Sequence, residues 1–255
     1  MTFLETIASG AGKRLLIGGH RGHLSEVREN TLENFAQILG SGVDYIEIDV
    51  QLTADGQAVI YHDLDLGLHS PLFGRVRDYT VAQLKAAFEL NTLDEVLGWC
   101  RERGMGVLLE IKSRELEMHD TMPVLAQRIV EALRRHDFFE MCIVFGTDHA
   151  TLKRITSLEP RVRLALIVPH VPHDPVGLMK DMGAMIYLCF LDNLSAGLVE
   201  ELHRAGYLVD GSVVNTRERL ADALALRVDM IESDYPEMIL GYYREFRKGG
   251  WGNHD

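Results

Sequence analysis

The chain has 255 residues, 47% of them apolar and 25% charged, with a formal net charge of -12. Such a chain is long enough to bury a sizeable core, and its acidity argues against nucleic acid or an anionic membrane surface as the main partner. No stretch approaches about 18 uncharged apolar residues, and the opening MTFLETIASGAGKR lacks a basic segment ahead of an apolar one, so neither a membrane span nor a signal peptide is expected and the expected location is cytoplasmic.

In chain order, short apolar runs rich in β-branched residues alternate with runs of helical periodicity. Strands are expected at Arg14–Gly19, Val43–Val50, Met105–Lys112, Met141–Phe145, Val162–Val168, Ala184–Cys189, Tyr207–Gly211 and Val228–Glu232. The matching helices are Thr31–Leu39, Leu93–Arg103, Met122–His136, His149–Leu158, Val176–Met182, Ala196–Arg204, Arg217–Leu226 and Glu237–Arg247. Eight strand-then-helix units imply parallel pairing, and in about 250 residues they fit a (β/α)8 TIM barrel formed as a single domain over residues 1–255. No GxGxxG or Walker A sequence follows a strand, which disfavours a nucleotide-binding open sheet. Leu64–Leu90 is the longest excursion, and its HSPLFGRVRDYT portion reads as loop. Cys100, Cys142 and Cys189 are far apart and read as buried thiols of a reducing compartment.

One extra strand, Gln57–Tyr61, follows the second barrel strand after Asp55-Gly56, a strong hairpin signal. With those two residues as the loop, Ala54 pairs with Gln57 and Asp49 faces His62, their Cβ atoms roughly 5 Å apart. In the second strand, residues 45, 47 and 49 share one face. Glu47 and Asp49 are therefore two carboxylates pointing into the barrel end, where they repel unless a cation lies between them. Glu110 ends the third strand on the same side as Lys112, and His20-Arg21 ends the first. Enzymes of this architecture work at the face where the strands end. Glu47, Asp49 and Glu110 form an all-oxygen set suited to one hard divalent cation, Mg²⁺ or Ca²⁺. With Arg21 and Lys112 beside it, a phosphate is the natural guest. His20 and His62 supply a general acid and a general base for breaking a P–O bond.

The run GHRG, then ENT opening a helix, then YIEIDVQLTADGQAVIYHD, then LLEIK, all within Gly18–Lys112, resembles the glycerophosphodiester phosphodiesterases, part of a wider group of phospholipase-C-like barrels. The resemblance implies His62 as general acid and His20 as base, Glu47, Asp49 and Glu110 as metal ligands, and Arg21 and Lys112 as phosphate contacts. It implies hydrolysis of a glycerophosphodiester-type small molecule to a phosphomonoester and an alcohol. The chain departs from the family pattern in three places. Val27-Arg28 replaces Ala-Pro ahead of ENT, adding a cation near the site. Ser212 stands where the WTVN stretch of the family has tryptophan, which is expected to widen the pocket or to expose it to polar contacts. His170 and His173 follow the fifth strand and read as loop residues. Together these suggest a more polar headgroup, such as a sugar phosphodiester, or a lysophospholipid, with a cyclic phosphate formed first if a substrate hydroxyl attacks. A metal-dependent sugar-phosphate isomerase or aldolase, and a non-catalytic phosphoester-binding barrel, are the alternatives from other classes. Glu232 and Asp234 read as structural polar caps where the last strand meets the first. The sequence is compatible with a homo-oligomer and does not define one.

Overall fold

The computed structural model describes residues 1–113 and 120–248. It opens on helix α1 (Phe3–Gly10), a stretch for which the sequence reading predicts no element. Its start is a capping box: Thr2 Oγ1 accepts from the Glu5 amide while Glu5 accepts from the Thr2 amide. Ten strands follow among the described residues: β1 (Leu16–Gly19), β2 (Tyr45–Leu52), β3 (Ala58–Ile60), β4 (Asn91–Thr92), β5 (Gly106–Ile111), β6 (Cys142–Gly146), β7 (Arg163–Ile167), β8 (Ile186–Phe190), β9 (Leu208–Ser212) and β10 (Met230–Ser233). Eight of them pair in parallel in the order β1-β10-β9-β8-β7-β6-β5-β2, and β2 returns to β1 through Gly18↔Tyr45 and Gly19↔Ile46. The sheet is closed. This is a (β/α)8 TIM barrel.

The outer layer is α2 (Leu32–Ile38), then α3 (Val81–Ala87) and α4 (Leu93–Arg103) between β3 and β5, then α5 (Met122–Arg135), α6 (His149–Leu158), α7 (Pro175–Met182), α8 (Ala196–Arg204), α9 (Arg217–Leu226) and α10 (Pro236–Lys248). Alternation sorts the strand side chains. Ile46, Ile48 and Val50 pack in the large core between strands and helices, while Tyr45, Leu108, Ile143, Phe145 and Met230 fill the inside of the barrel with Phe3 and Ile7 of α1 as its floor. Gly18 is required by this filling: a Cβ there would lie 2.2 Å from the Tyr45 ring. Thr31, Thr92, Asp148, Asp174, Ser195 and Thr216 each cap the amide three residues on, so the helices begin sharply at the face where the strands end.

The hairpin corrects the expected register. Val50 pairs with Ile60, Gln51 with Val59 and Leu52 with Ala58, one residue off the two-residue-loop alignment. The loop holds three residues, Ala54–Gly56. It is closed by Thr53 N–H donating to Gln57 O at 3.0 Å, with Gly56 in the left-handed conformation (φ 70°). Asp49 therefore lies opposite Tyr61, whose amide donates to the Asp49 carbonyl at 2.9 Å. The excursion that follows is also more ordered than a loop. Two 3₁₀ turns and α3 bury Leu66, Val76, Leu84 and Leu90 against Val59 and Tyr61 of the hairpin.

Inside the barrel, Asp210 and Glu232 are buried, and among the described residues Asp210 Oδ2 and Glu232 Oε1 have no hydrogen-bond partner. Burial pushes the Asp210 carboxyl up to about 7, against a hydrogen bond from Ser212 and with Asp229 adding repulsion. Burial, and then the nearby charges of Asp210 and Glu47, push Glu232 well above the carboxylate range. The folded state keeps the Asp210 proton that the unfolded chain loses near pH 4, so folding takes up a proton and stability falls as pH rises through the window between the two values, by about 1.4 kcal/mol per unit of difference. Asp210→Asn removes that titration. Urea unfolding at pH 5 to 8 is expected to show the variant gaining on the parent chain as pH rises; a constant difference across that range contradicts the assignment.

Candidate active site

Of the seven residues singled out from the sequence, Glu47 and Asp49 lie within β2, and the other five lie at or just past the ends of β1, β3 and β5. Glu47, Asp49 and Glu110 each present a carboxylate oxygen within 4.8 Å of the others. Glu47 and Asp49 are 1% exposed. Lys112, also buried, bridges two of the three, its Nζ 2.8 Å from Asp49 Oδ1 and 2.9 Å from Glu110 Oε1. Against the cost of burial, the charges of Lys112, His62 and Arg21 hold the Asp49 carboxyl down at about 2. Glu47 goes the other way. Burial and repulsion by Asp49 and Glu110 push it well above the usual range, and its Oε1 has no hydrogen-bond partner among the described residues. Fully ionised, the three carboxylates would carry one negative charge more than Lys112 and Arg21 offset. An orphaned carboxylate oxygen beside two other hard donors fits a divalent cation.

Arg21 reaches this cluster through its backbone. Its φ is 54°, a conformation uncommon outside glycine, and it turns the Arg21 amide toward Glu47 Oε2 at 2.9 Å. The guanidinium Nε lies 3.6 Å from Asp49 Oδ2, and Nη1 lies 3.2 Å from Glu29 Oε1. Gly22 follows at φ 96°, where a Cβ would lie 2.2 Å from Asn34 Oδ1. The ENT residues complete this corner. Glu29 pairs with Arg21, Asn30 donates from Nδ2 to Asp49 Oδ2 at 2.8 Å, and Thr31 caps α2. Only the helix-opening role of ENT is legible from spacing; the Asn30–Asp49 bond appears only once the loop is folded.

Both histidines are tethered by a carboxylate at the same ring nitrogen. His20 Nδ1 lies 2.6 Å from Asp234 Oδ1, and His62 Nδ1 lies 2.8 Å from Asp63 Oδ1. A carboxylate accepts there, so Nδ1 carries the proton and Nε2 is left for chemistry. Asn215 Nδ2 in turn donates to the other oxygen of Asp234 at 2.5 Å. Asp234 is thus more than the polar cap expected from the sequence, and Asn215 and Asp63 join the site as its supports. His62 arrives despite the shifted register because the ladder stops at Ile60. Beyond it, the Gln51 amide reaches the carbonyls of Tyr61, His62 and Asp63 at 2.8, 3.3 and 2.9 Å and turns the chain back toward the barrel. Burial lowers the His62 pKa, with the charges of Lys112 and Arg21 adding to the effect against the pull of Asp49.

Two of the three expected departures from the family pattern lie elsewhere. His170 and His173 are exposed in the β7–α7 loop. Ser212 is buried and its hydroxyl is used inside the barrel, donating to Asp210 and accepting from the Glu232 amide at 2.8 Å, so it adds no polar contact to the pocket. Arg28 stands beside the site, stacked over Tyr61 and Phe88.

The glycerophosphoryl diester phosphodiesterase family model matches residues 20–238. A glycerophosphodiester phosphodiesterase from Caldanaerobacter subterraneus subsp. tengcongensis is 27% identical over 93% of this chain and 100% of its own length. One from Bacillus altitudinis is 27% identical over 91% of this chain and 99% of its own. Among solved structures, a phosphodiesterase from Oleispira antarctica, in complex with the product sn-glycerol-3-phosphate, superposes with a TM-score of 0.84 at 22% identity, covering 90% of this chain and 96% of that one. The chain belongs to the glycerophosphoryl diester phosphodiesterase family, a family of phosphoric diester hydrolases.

Proposed function

We propose that this chain, as one catalytic domain, hydrolyses a glycerophosphodiester to sn-glycerol-3-phosphate and an alcohol with the help of a divalent cation. The observation that carries the reading is the pairing of two carboxylate-tethered imidazoles with a buried three-carboxylate cluster. Relatives named for this activity and the product-bound Oleispira enzyme support it. Glu47, Asp49 and Glu110 would hold Mg²⁺ or Ca²⁺, which when bound neutralises charge developing on the phosphoryl oxygens. Arg21 and Lys112 add fixed positive charge where the phosphate lies.

The protons are moved by the histidines. His20 Nε2 accepts a proton from water as its oxygen attacks phosphorus, and Asp234 stabilises the imidazolium that results. The P–O bond to the alcohol breaks, and His62, which enters the step as the imidazolium with Asp63 accepting at Nδ1, gives its Nε2 proton to the departing oxygen. One proton is gained and one lost, and solvent exchange restores both rings after the products leave.

This division of labour has a kinetic signature. His62→Asn is expected to lower kcat about 10²–10⁴-fold on a diester with an aliphatic leaving group and far less on bis(p-nitrophenyl) phosphate, whose leaving group needs no proton. His20→Asn is expected to cost similar factors on both. Equal losses for His62→Asn on the two substrates contradict its role as acid. Asp234→Asn is expected to lower kcat roughly 10–100-fold, the usual cost of losing the partner that fixes an imidazole. For the cation, EDTA is expected to abolish turnover and readdition of Mg²⁺ or Ca²⁺ to restore it. The same ion should raise Tm in the parent chain and not in Glu47→Gln; hydrolysis that persists in EDTA rules the cation out.

A further inference from the structure

Two cavities meet at His62. One, of about 270 Å³, lies between His62, Asp63 and Lys112 on the carboxylate side. The other, of about 240 Å³, has Glu26, Arg28, Glu29, Tyr61, His62 and His69 in its wall. With phosphorus on the carboxylate side and His62 protonating the leaving oxygen, the alcohol extends past His62 into the second cavity.

We propose that this second cavity is the leaving-group subsite and that it selects an uncharged, hydroxyl-rich alcohol, a polyol or sugar, over a cationic one. The proposal rests on the phosphodiesterase reading above. Ammonium headgroups are commonly held against aromatic faces. Here those faces already carry a cation of the chain itself: the Arg28 guanidinium lies 4.4 Å from the Phe88 ring centre and 5.3 Å from that of Tyr61, and donates to the His69 carbonyl at 2.9 Å. A second cation would meet repulsion. On the same wall Tyr61 is 4% exposed, and its hydroxyl has the Arg28 guanidinium nearby but no well-formed hydrogen bond among the described residues. A polar atom held in that state costs stability unless a ligand satisfies it. Glu26 and Glu29 supply acceptors, while Arg28 and Tyr61 supply donors. A hydroxyl group both donates and accepts, so several hydroxyls on one alcohol match this mixed lining. Of the carboxylates in this wall, Glu29 is paired with Arg21 and Asp63 with His62, so neither is left to hold a cationic alcohol, and an aliphatic one would leave Tyr61 unpaired.

The test compares kcat/KM for glycerophosphoinositol, glycerophosphoglycerol and glycerophosphocholine on the full chain with saturating divalent cation. The two polyol diesters are expected to exceed the choline diester by at least about tenfold. Arg28→Met, which keeps the volume and drops the charge, is expected to bring that ratio toward one. Tyr61→Phe, which keeps the ring, is expected to lower the ratio as well, and it carries the test where Arg28→Met does not fold. A parent chain with equal or higher turnover of the choline diester, or a ratio that neither variant moves, overturns the subsite while leaving the phosphodiesterase reading intact. Failure to hydrolyse any diester, bis(p-nitrophenyl) phosphate included, overturns the reading beneath it and the subsite with it.

Discussion

Mutual repulsion among Glu47, Asp49 and Glu110 is the constraint from which the active end of this barrel follows. Carboxylates this close and this buried are unfavourable unless positive charge stands among them. Lys112 answers part of the need from inside, bridging Asp49 and Glu110, and Arg21 and Asn30 answer more at Asp49. Glu47 keeps the remainder. The resulting contrast, Asp49 held at about 2 and Glu47 raised well above its ordinary value, follows the placing of the chain's own cations. The unusual backbone at Arg21 belongs to the same demand: bending it is the way an amide reaches Glu47 when no side chain can.

Below this level the barrel is conventional, with an apolar interior floored by α1. Asp210 and Glu232 are the exception. They sit between the apolar floor and the charged mouth, and the first has the Ser212 hydroxyl as its hydrogen-bond donor. The hydroxyl and the carboxyl therefore go together: a buried acid needs a donor, and Ser212 provides it.

Much of this was legible in the sequence. The order and extent of α4, α6, α8 and α9 follow from apolar periodicity and from threonine, aspartate or serine at their starts. The convergence of residues 20, 47, 49, 110 and 112 follows from strand alternation and parallel order, because in a closed barrel both are forced. What escaped were features set by side chains meeting the backbone across the chain. The hairpin loop took three residues because Gly56 adopts a left-handed conformation that Thr53 locks from below, a choice that Asp-Gly alone does not determine. Gln51 looked like one more strand residue, yet it holds His62. Asp234 is 214 residues from the histidine it orients, and no local pattern links the two.

The part played by Gln51 explains how such a site can keep its chemistry while changing its alcohol. It grips main-chain carbonyls and is indifferent to the side chains of residues 61–63, so His62 is held from the strand side. The cavity beyond His62 is built from different material: the ENT loop on one side and, on the other, the excursion whose own small core is packed by Leu66, Val76 and Leu84. Arg28 stacks from the ENT loop onto Phe88 of the excursion and onto Tyr61 beside His62. A substitution there alters the wall that meets the leaving group without touching the ladder that positions the acid or the carboxylates that meet the phosphate. On the proposed reading, bond breaking belongs to the strand ends and selectivity to the contact that Arg28 makes from the ENT loop.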